Sequence, residues 1–296
     1  MMDKTRVVIG SYNVENLFAK KDIAPGSKTR PKSEASQAAL AENLRQADAD
    51  IVALQEVSSR ETLENFLKAQ DLAAMYPHVA HVPGNSERGI NVAIISKYPF
   101  ETIVTHKDST FPLADGSGQT RFSRDFLRAD VDVDGIPGAD VTVYTTHSKS
   151  RRPSPPGETP AHVQRLSEAK AMREIAEREM SPYPGRLFVI TGDLNDSTDD
   201  ASVQAILNPP EGGEPWRDSL EHLPADERNT WPSSPQRGGR YGPEQFDHII
   251  YPDSKHEQLK EAKIHRYEQS ADGKIRNVSA TASDHLMITA EFEITK

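Results

Sequence analysis

The stretch that decides the reading is Leu187-Phe188-Val189-Ile190-Thr191-Gly192-Asp193-Leu194-Asn195-Asp196. Its consecutive apolar residues follow Pro184-Gly185, which is how a strand covered on both faces reads. The run stops at Thr191-Gly192 and then delivers Asp193, Asn195 and Asp196. Apolar side chains that anchor the backbone would hold those polar groups rigidly at a sheet's edge, where α/β folds place their chemistry. Taken alone, a plain strand followed by an Asx turn reads equally well, because Asp and Asn cap turns.

Outward from this stretch the same pattern recurs. Residues 6–14 alternate and end in Asn13-Val14-Glu15-Asn16. Residues 51–54 form a second solid apolar run ending in Gln55-Glu56, and the β-branched residues 141–146 run into His147-Ser148-Lys149. Further strands are expected over 78–82 and 90–96, paired around Pro83-Gly84-Asn85, and over 101–105, 126–133, 246–251 and 285–294.

Helices fit between the strands. Residues 33–47 carry apolar positions near helical spacing, and Ser58 with Glu61 forms a capping box for a helix to about Ala69. Thr159-Pro160 suits an N-cap and first helical position, opening a helix to about Met180, and 199–207 is a short helix. Residues 20–32 read as a mobile loop, 151–160 as an extended Pro-rich segment and 208–244 as a long connection. Strands that alternate with helices, yet also form hairpin-like pairs, predict two packed sheets with helices outside. No repeat and no Pro/Gly linker divides the chain, so residues 1–296 are expected to form one domain.

Composition removes several functions. Apolar residues make up 35% and charged residues 27%, which supports an ordinary core. The net charge is −10, so nucleic acid cannot be held by bulk charge and would need a local basic patch or bound cations. Without cysteine there are no disulfides, no thiol catalysis and no thiolate zinc sites. The first residues are too polar, and the apolar run after them too short, for a signal peptide; nothing is long enough to span a bilayer. A cytoplasmic protein is expected.

Asn13, Glu15, Glu56, His147, Asp193, Asn195, Asp247, Asp284 and His285 each follow an apolar run. Singly, each has a bland explanation as a turn cap or a satisfied core histidine. The ends of parallel strands converge on one face of a sheet, however, and carboxylates gathered there would repel one another unless a cation sat between them. Oxygen donors without cysteine suit Mg²⁺ or Mn²⁺ better than Zn²⁺.

Six motifs run in order: Ser11-Tyr12-Asn13-Val14-Glu15-Asn16, Leu54-Gln55-Glu56, Thr146-His147, Gly192-Asp193-Leu194-Asn195, Phe246-Asp247-His248 and Ser283-Asp284-His285. With these, and with the stretches beginning at Arg88 and Phe122, the chain resembles the endonuclease/exonuclease/phosphatase superfamily of deoxyribonuclease-I-like metallophosphoesterases. The resemblance implies a four-layer α/β/β/α sandwich, two mixed sheets face to face with helices outside. It implies Mg²⁺ or Mn²⁺ on Glu56, assisted by Asn13 and Asp284. Asp193 would orient and deprotonate the attacking water, and Asn195 would hold that water or a phosphate oxygen. His285, oriented by Asp247, would stabilise the transition state or share proton transfer. His147 would contact the phosphate and protonate the leaving oxygen. Asn91 is a further candidate phosphate ligand, and Glu15 stands where relatives often carry another residue.

The implied activity is divalent-metal-dependent phosphodiester hydrolysis, with DNA or RNA as substrate and a monomer as the working form. Hydrolysis of a small phosphoester or phospholipid head group is the alternative, and a catalytically silent binding protein a third reading. The Trp-x-Gly-Asp-x-Asn and Cys-Asp-Arg patterns of inositol polyphosphate 5-phosphatases are absent, as is the aromatic wedge of abasic-site endonucleases.

Basic residues near the motifs would form a positive rim: Lys149, Arg151 and Arg152 after His147, Arg121, Arg124 and Arg128 around a strand start, and Arg237 and Arg240 before Asp247. Of these, Arg124, Lys149 and Arg151 are candidate phosphate contacts. The other histidines are expected to be structural, with His248 pointing away from Asp247. Trp216 and Trp231 would either stack on a base or cover the core.

Overall fold

Residues 187–190 are uniformly apolar because two different cores receive them. In the computed structural model, Leu187 and Val189 face one core while Phe188 and Ile190 face another. The structure describes residues 4–208, 212–232, 244–266, 268–271, 274–277 and 281–295.

In chain order the elements are β1 (Lys4–Leu17), α1 (Glu34–Ala47), β2 (Ile51–Val57), α2 (Arg60–Ala69), β3 (His78–His81) and β4 (Asn91–Ser96). Then come β5 (Phe100–Val104), β6 (Thr110–Pro112), β7 (Gln119–Arg121), β8 (Phe126–Val131), β9 (Val141–His147) and α3 (Ala161–Met180). The second half continues with β10 (Leu187–Asp193), α4 (Ala201–Leu207), β11 (Trp216–Asp218) and β12 (Asp247–Pro252). It closes with β13 (Leu259–Ile264), β14 (Glu268–Ala271), β15 (Lys274–Asn277) and β16 (Ile288–Thr295).

Two six-stranded sheets result, ordered β13-β16-β1-β2-β4-β3 and β11-β12-β10-β9-β8-β5. Each is antiparallel except at its centre, where β1 pairs parallel with β2 and β9 parallel with β10. A helix makes each parallel crossover, α1 in one sheet and α3 in the other. Val7, Ile9, Ile51 and Val92 of the first sheet meet Leu127, Val143, Leu187 and Val189 of the second in the central core. Leu40, Leu44, Leu63 and Phe66 of α1 and α2 cover the outer face of the first sheet. Met172, Ile175, Val203 and Ile206 of α3 and α4 cover the outer face of the second. This is the four-layer sandwich expected from the sequence.

Local chemistry differs from expectation in several places. The cap of α2 is Ser59, whose side chain accepts from Thr62 N; Ser58 instead donates to Asp22 Oδ2 at 2.7 Å. Asp22 also accepts from Ser59 Oγ and Thr62 Oγ1, so part of the 20–32 loop is tied to α2. Pro160 itself is the N-cap of α3, without a side-chain cap bond. The 208–244 connection contains edge strand β11, and β13 adds an edge strand beside β16. His285 precedes the last strand, which starts at Ile288. No helix among the described residues is long and apolar enough to cross a membrane.

Candidate active site

The two parallel pairs bring their carboxyl ends to the same end of the sandwich, and each pair delivers side chains differently. In the second sheet the ladder stays in register to the last residue: Asp193 lies beside His147 on one side and Asp247 on the other. Gly192 makes this possible. Its φ is +138°, and a Cβ built there would lie 2.1 Å from the carbonyl oxygen of Thr146, so no side chain fits between these strands.

In the first sheet the register breaks. The β1–β2 pairing shifts between Asn13 and Leu17, and β2–β4 shifts between Gln55 and Val57. Glu15, Asn16 and Glu56 carry φ of +45°, +56° and +65°. Glu56 is the extra residue of a bulge, a device that re-aims one side chain out of the pleat. Asn195, just past β10, is also left-handed, with φ +54°. Such conformations persist where surrounding bonds over-determine them. Here those bonds are Asn16 N to Glu56 Oε2 at 3.0 Å, Glu15 N to Asn13 Oδ1 at 3.0 Å and Asn195 N to Asp193 Oδ1 at 2.8 Å.

Asp193 is the hub, 1% exposed. Its Oδ2 accepts from Asn13 Nδ2 at 2.9 Å and lies 3.5 Å from His147 Nε2 and 3.7 Å from His285 Nε2. His285 Nδ1 donates to Asp247 Oδ2 at 2.8 Å, and the same oxygen accepts from Thr230 Oγ1 at 2.7 Å. Thr230 Oγ1 in turn accepts from the main-chain N–H groups of Phe246 and Asp247. Ser283 Oγ donates to Asn13 O at 2.7 Å and accepts from His285 N, tying the two chain ends of the site together.

Burial pushes the Asp193 carboxyl up, as does the charge of Asp247; the His285 charge and the Asn13 hydrogen bond oppose this, leaving it at about 6. Burial would lower His285, but Asp247 and Asp193 outweigh it and hold the imidazolium well above its usual range. Burial, with the charges of Arg124 and His285, drives His147 well below 6.5, so at neutral pH it is uncharged. Glu56 is raised by burial and then by Asp284, so two carboxylates bear on one another there.

Glu56 and Asp284 bear on one another, and with the amide oxygen of Asn13 they would offer oxygen donors only; a cation held there would relieve that repulsion. The donors fit a hard divalent ion. Another acidic group, Asp132, Asp134 and Asp140, has one oxygen from each residue within 4.8 Å of the others. It sits in the β8–β9 hairpin at the far end of the strands from His147 and Asp193. There each acid already accepts a turn N–H, from Gly135, Ile136 and Val133 respectively. It belongs to the turn and not to the site.

Two expected phosphate contacts stand differently. Asn91 is 5% exposed and brackets main chain: its Oδ1 accepts from Gly84 N at 2.8 Å and its Nδ2 donates to Ser58 O and Gly89 O. Arg151 is an internal clamp. It bonds Asn195 O, Asp196, Glu244 and Asp200, and its guanidinium stacks over Phe246 at 4.8 Å. Arg124 is 9% exposed beside the site, donating through Nη1 to Ser148 O at 3.0 Å, with its Nε buried and unpaired. Asn195 Nδ2 reaches the same Ser148 carbonyl. Lys149 lines a neighbouring cavity of about 730 Å³ with Arg121.

Arg128 pairs with Asp130 and Glu179 on the outer face of its sheet, away from any rim. Arg237 and Arg240 lie outside the described residues. His248 points away from Asp247 as expected, into Asp218 and the Asp196 carbonyl. Trp216 is buried in the outer core, and Trp231 stacks on Phe246 at 5.4 Å. Thr230 had no signal in the sequence beyond its place in a long polar connection.

The model of the Endonuclease/Exonuclease/phosphatase family matches residues 10–285, from the start of the β1 motif to His285 itself. The chain belongs to that family. Among solved structures it is similar to truncated Caenorhabditis elegans TDP2 (19% identity, TM-score 0.62, covering 97% of this chain and 98% of that one). It is also similar to the human Nocturnin catalytic domain with bound sulfate anion (13%, 0.64, 99% and 98%) and to a beta toxin from Staphylococcus aureus (20%, 0.62, 96% and 99%). At these identities the likeness establishes the fold. No curated protein matches the sequence. Members of the endonuclease/exonuclease/phosphatase family are metal-dependent hydrolases acting on phosphoester bonds.

Proposed function

We propose that this family member is a divalent-metal-dependent phosphodiester hydrolase acting on nucleic acid, with Asp193 as the group that takes a proton from the attacking water. One observation carries the reading: Asp193 is gripped at both oxygens, by Asn13 Nδ2 and Asn195 N, and its Oδ2 faces His147 Nε2 at 3.5 Å and His285 Nε2 at 3.7 Å. A carboxylate near 6 is ionised at neutral pH yet basic enough to accept a proton. His285, held cationic by Asp247, supplies positive charge where negative charge develops on phosphate oxygens. His147, neutral and buried, is suited to donate a hydrogen bond to a phosphate oxygen or the leaving oxygen. Glu56, Asp284 and Asn13 would hold Mg²⁺ or Mn²⁺, which when bound polarises a phosphate oxygen.

The test uses purified protein with Mg²⁺, Mn²⁺ or EDTA, on plasmid DNA, single-stranded DNA and RNA, and small phosphoesters. Cleavage of nucleic acid that EDTA abolishes and metal restores is the expected result. Turnover of a small ester with no cleavage of any nucleic acid would sink the nuclease reading. Glu56→Gln should weaken Mn²⁺ binding, read by calorimetric titration, by more than about 100-fold.

A further inference from the structure

A cleft of about 680 Å³ is lined by Lys28, Arg30, Lys32, Arg88, Arg152 and Glu15, and it reaches Asn16, whose N–H holds Glu56 Oε2. Three separate segments supply its cations: the loop before α1, the turn before β4 and the chain after β9. Five cations thus face one carboxylate on a chain whose net charge is −10. Elsewhere several arginines are ion-paired, as with Arg128 to Asp130, Arg165 to Asp196 and Arg173 to Glu177. Among the described residues, Lys28, Arg30, Arg88 and Arg152 have no ion-pair partner. Such like charges repel, and an arrangement that tolerates this is shaped for an anion.

The loop is not a loose flap. Lys32 N donates to Phe18 O, Lys32 Nζ to Glu15 O at 3.1 Å, Gln37 Nε2 to Lys32 O at 2.9 Å, and Thr29 N to Ser27 Oγ. Asn16 is the seam between cleft and active site: its Oδ1 accepts from Arg88 Nη2 at 3.4 Å, while its N–H holds Glu56 Oε2. An anion in the cleft would therefore sit next to the proposed metal side of the reaction centre. Guanidinium forks match phosphate oxygens, which favours phosphate over carboxylate.

We propose that the cleft is a subsite for a second phosphate group of the substrate, so that the enzyme prefers a phosphodiester with a phosphorylated neighbour over an isolated one. The proposal rests on the hydrolase reading and deepens it. A nucleic-acid strand supplies such a neighbour at every nucleotide, and a small bisphosphate offers the same chemistry once.

The experiment uses the full chain carrying Arg30→Gln and Arg152→Gln together, both exposed positions, with Arg30→Lys and Arg152→Lys as the charge-keeping control. Anisotropy of a labelled single-stranded oligonucleotide, in EDTA, should give a Kd raised about tenfold or more in the Gln variant and largely restored in the Lys variant. The slope of log K against log salt should be shallower by about 0.7 per lost phosphate contact. With Mn²⁺, the KM for the oligonucleotide relative to that for bis-p-nitrophenyl phosphate should rise about tenfold at unchanged kcat.

Competition by a nucleoside 3′,5′-bisphosphate that weakens in parallel identifies a single extra phosphate as sufficient; weakening only for the oligonucleotide identifies a strand. An unmoved Kd and KM ratio, or equal losses on both substrates, would overturn the subsite. If the wild type cleaves nothing, the hydrolase reading fails while the anisotropy still decides whether phosphate binds in the cleft.

Discussion

The two central strand pairs do the same structural job and present chemistry in opposite ways. β9 and β10 remain in register to their ends, so His147 and Asp193 emerge side by side with Asp247 of β12 completing the row. β1 and β2 break register just before their ends, and Glu56 leaves the ladder on a left-handed backbone. Groups that exchange protons need fixed spacing, which a ladder supplies. A carboxylate for a cation needs to point out of the sheet, which a bulge supplies. Under the proposed function, one sheet supplies distance and the other direction.

Substituting either of two neighbours in the registered sheet should separate chemistry from scaffold. Asp193→Asn is expected to lower kcat about 10³- to 10⁴-fold with no loss of melting temperature, because it removes a buried charge whose carboxyl is already pushed up to about 6. A large drop in melting temperature would mean that Asp193 is chiefly a structural anchor. Gly192→Ala should do the reverse. A methyl group 2.1 Å from Thr146 O forces the strands apart, at a cost of about 3 kcal/mol in urea unfolding. Unchanged unfolding there would refute the idea that strict register needs this glycine.

A smaller effect sharpens the contrast between the sheets' outer faces. The second sheet carries a polar network there, in which Glu179 receives Tyr144 OH at 2.7 Å and faces His106 Nε2 and Arg128. Burial raises Glu179, but hydrogen bonds from His106 and Tyr144 and the charges of His106 and Arg128 bring it down to about 2. A depressed carboxylate contributes stability that is complete above its unfolded value near 4.5 and is lost as pH falls toward 2. Glu179→Gln should therefore lower stability by on the order of 2 kcal/mol at pH 7 and flatten the acid limb of the unfolding profile between those values. If the acid limb keeps its slope, the network is not the source of that stability.

How much of this was legible in the sequence depended on burial. Runs covered on both faces, such as residues 51–54 and 187–190, announce themselves because every position is apolar. Three-residue strands such as β11, β6 and β7 are too short to show a period, and they bury two, one and none of their residues respectively. The α2 cap lies at Ser59, one residue later than the Ser58 expected, while Ser58 donates to Asp22, a contact between distant positions that the sequence does not display. The site residues were visible as polar punctuation after strands, but their aim was not. Non-glycine residues in the left-handed region carry no composition signal, so Glu56 reads as one more strand-end acid. The cationic cleft joins Arg30, Arg88 and Arg152 across three segments and could be assembled only in three dimensions.

The bulge at Glu56 has one more consequence. Leu54 and Val57 both belong to the core under α1 and α2, although they stand three positions apart on a strand whose sides alternate every second residue. Take Glu56 out of the chain and that alternation becomes unbroken, with no apolar residue misplaced. The proposed metal carboxylate thus occupies a supernumerary slot, one that could be inserted into a finished strand without displacing any residue of its core.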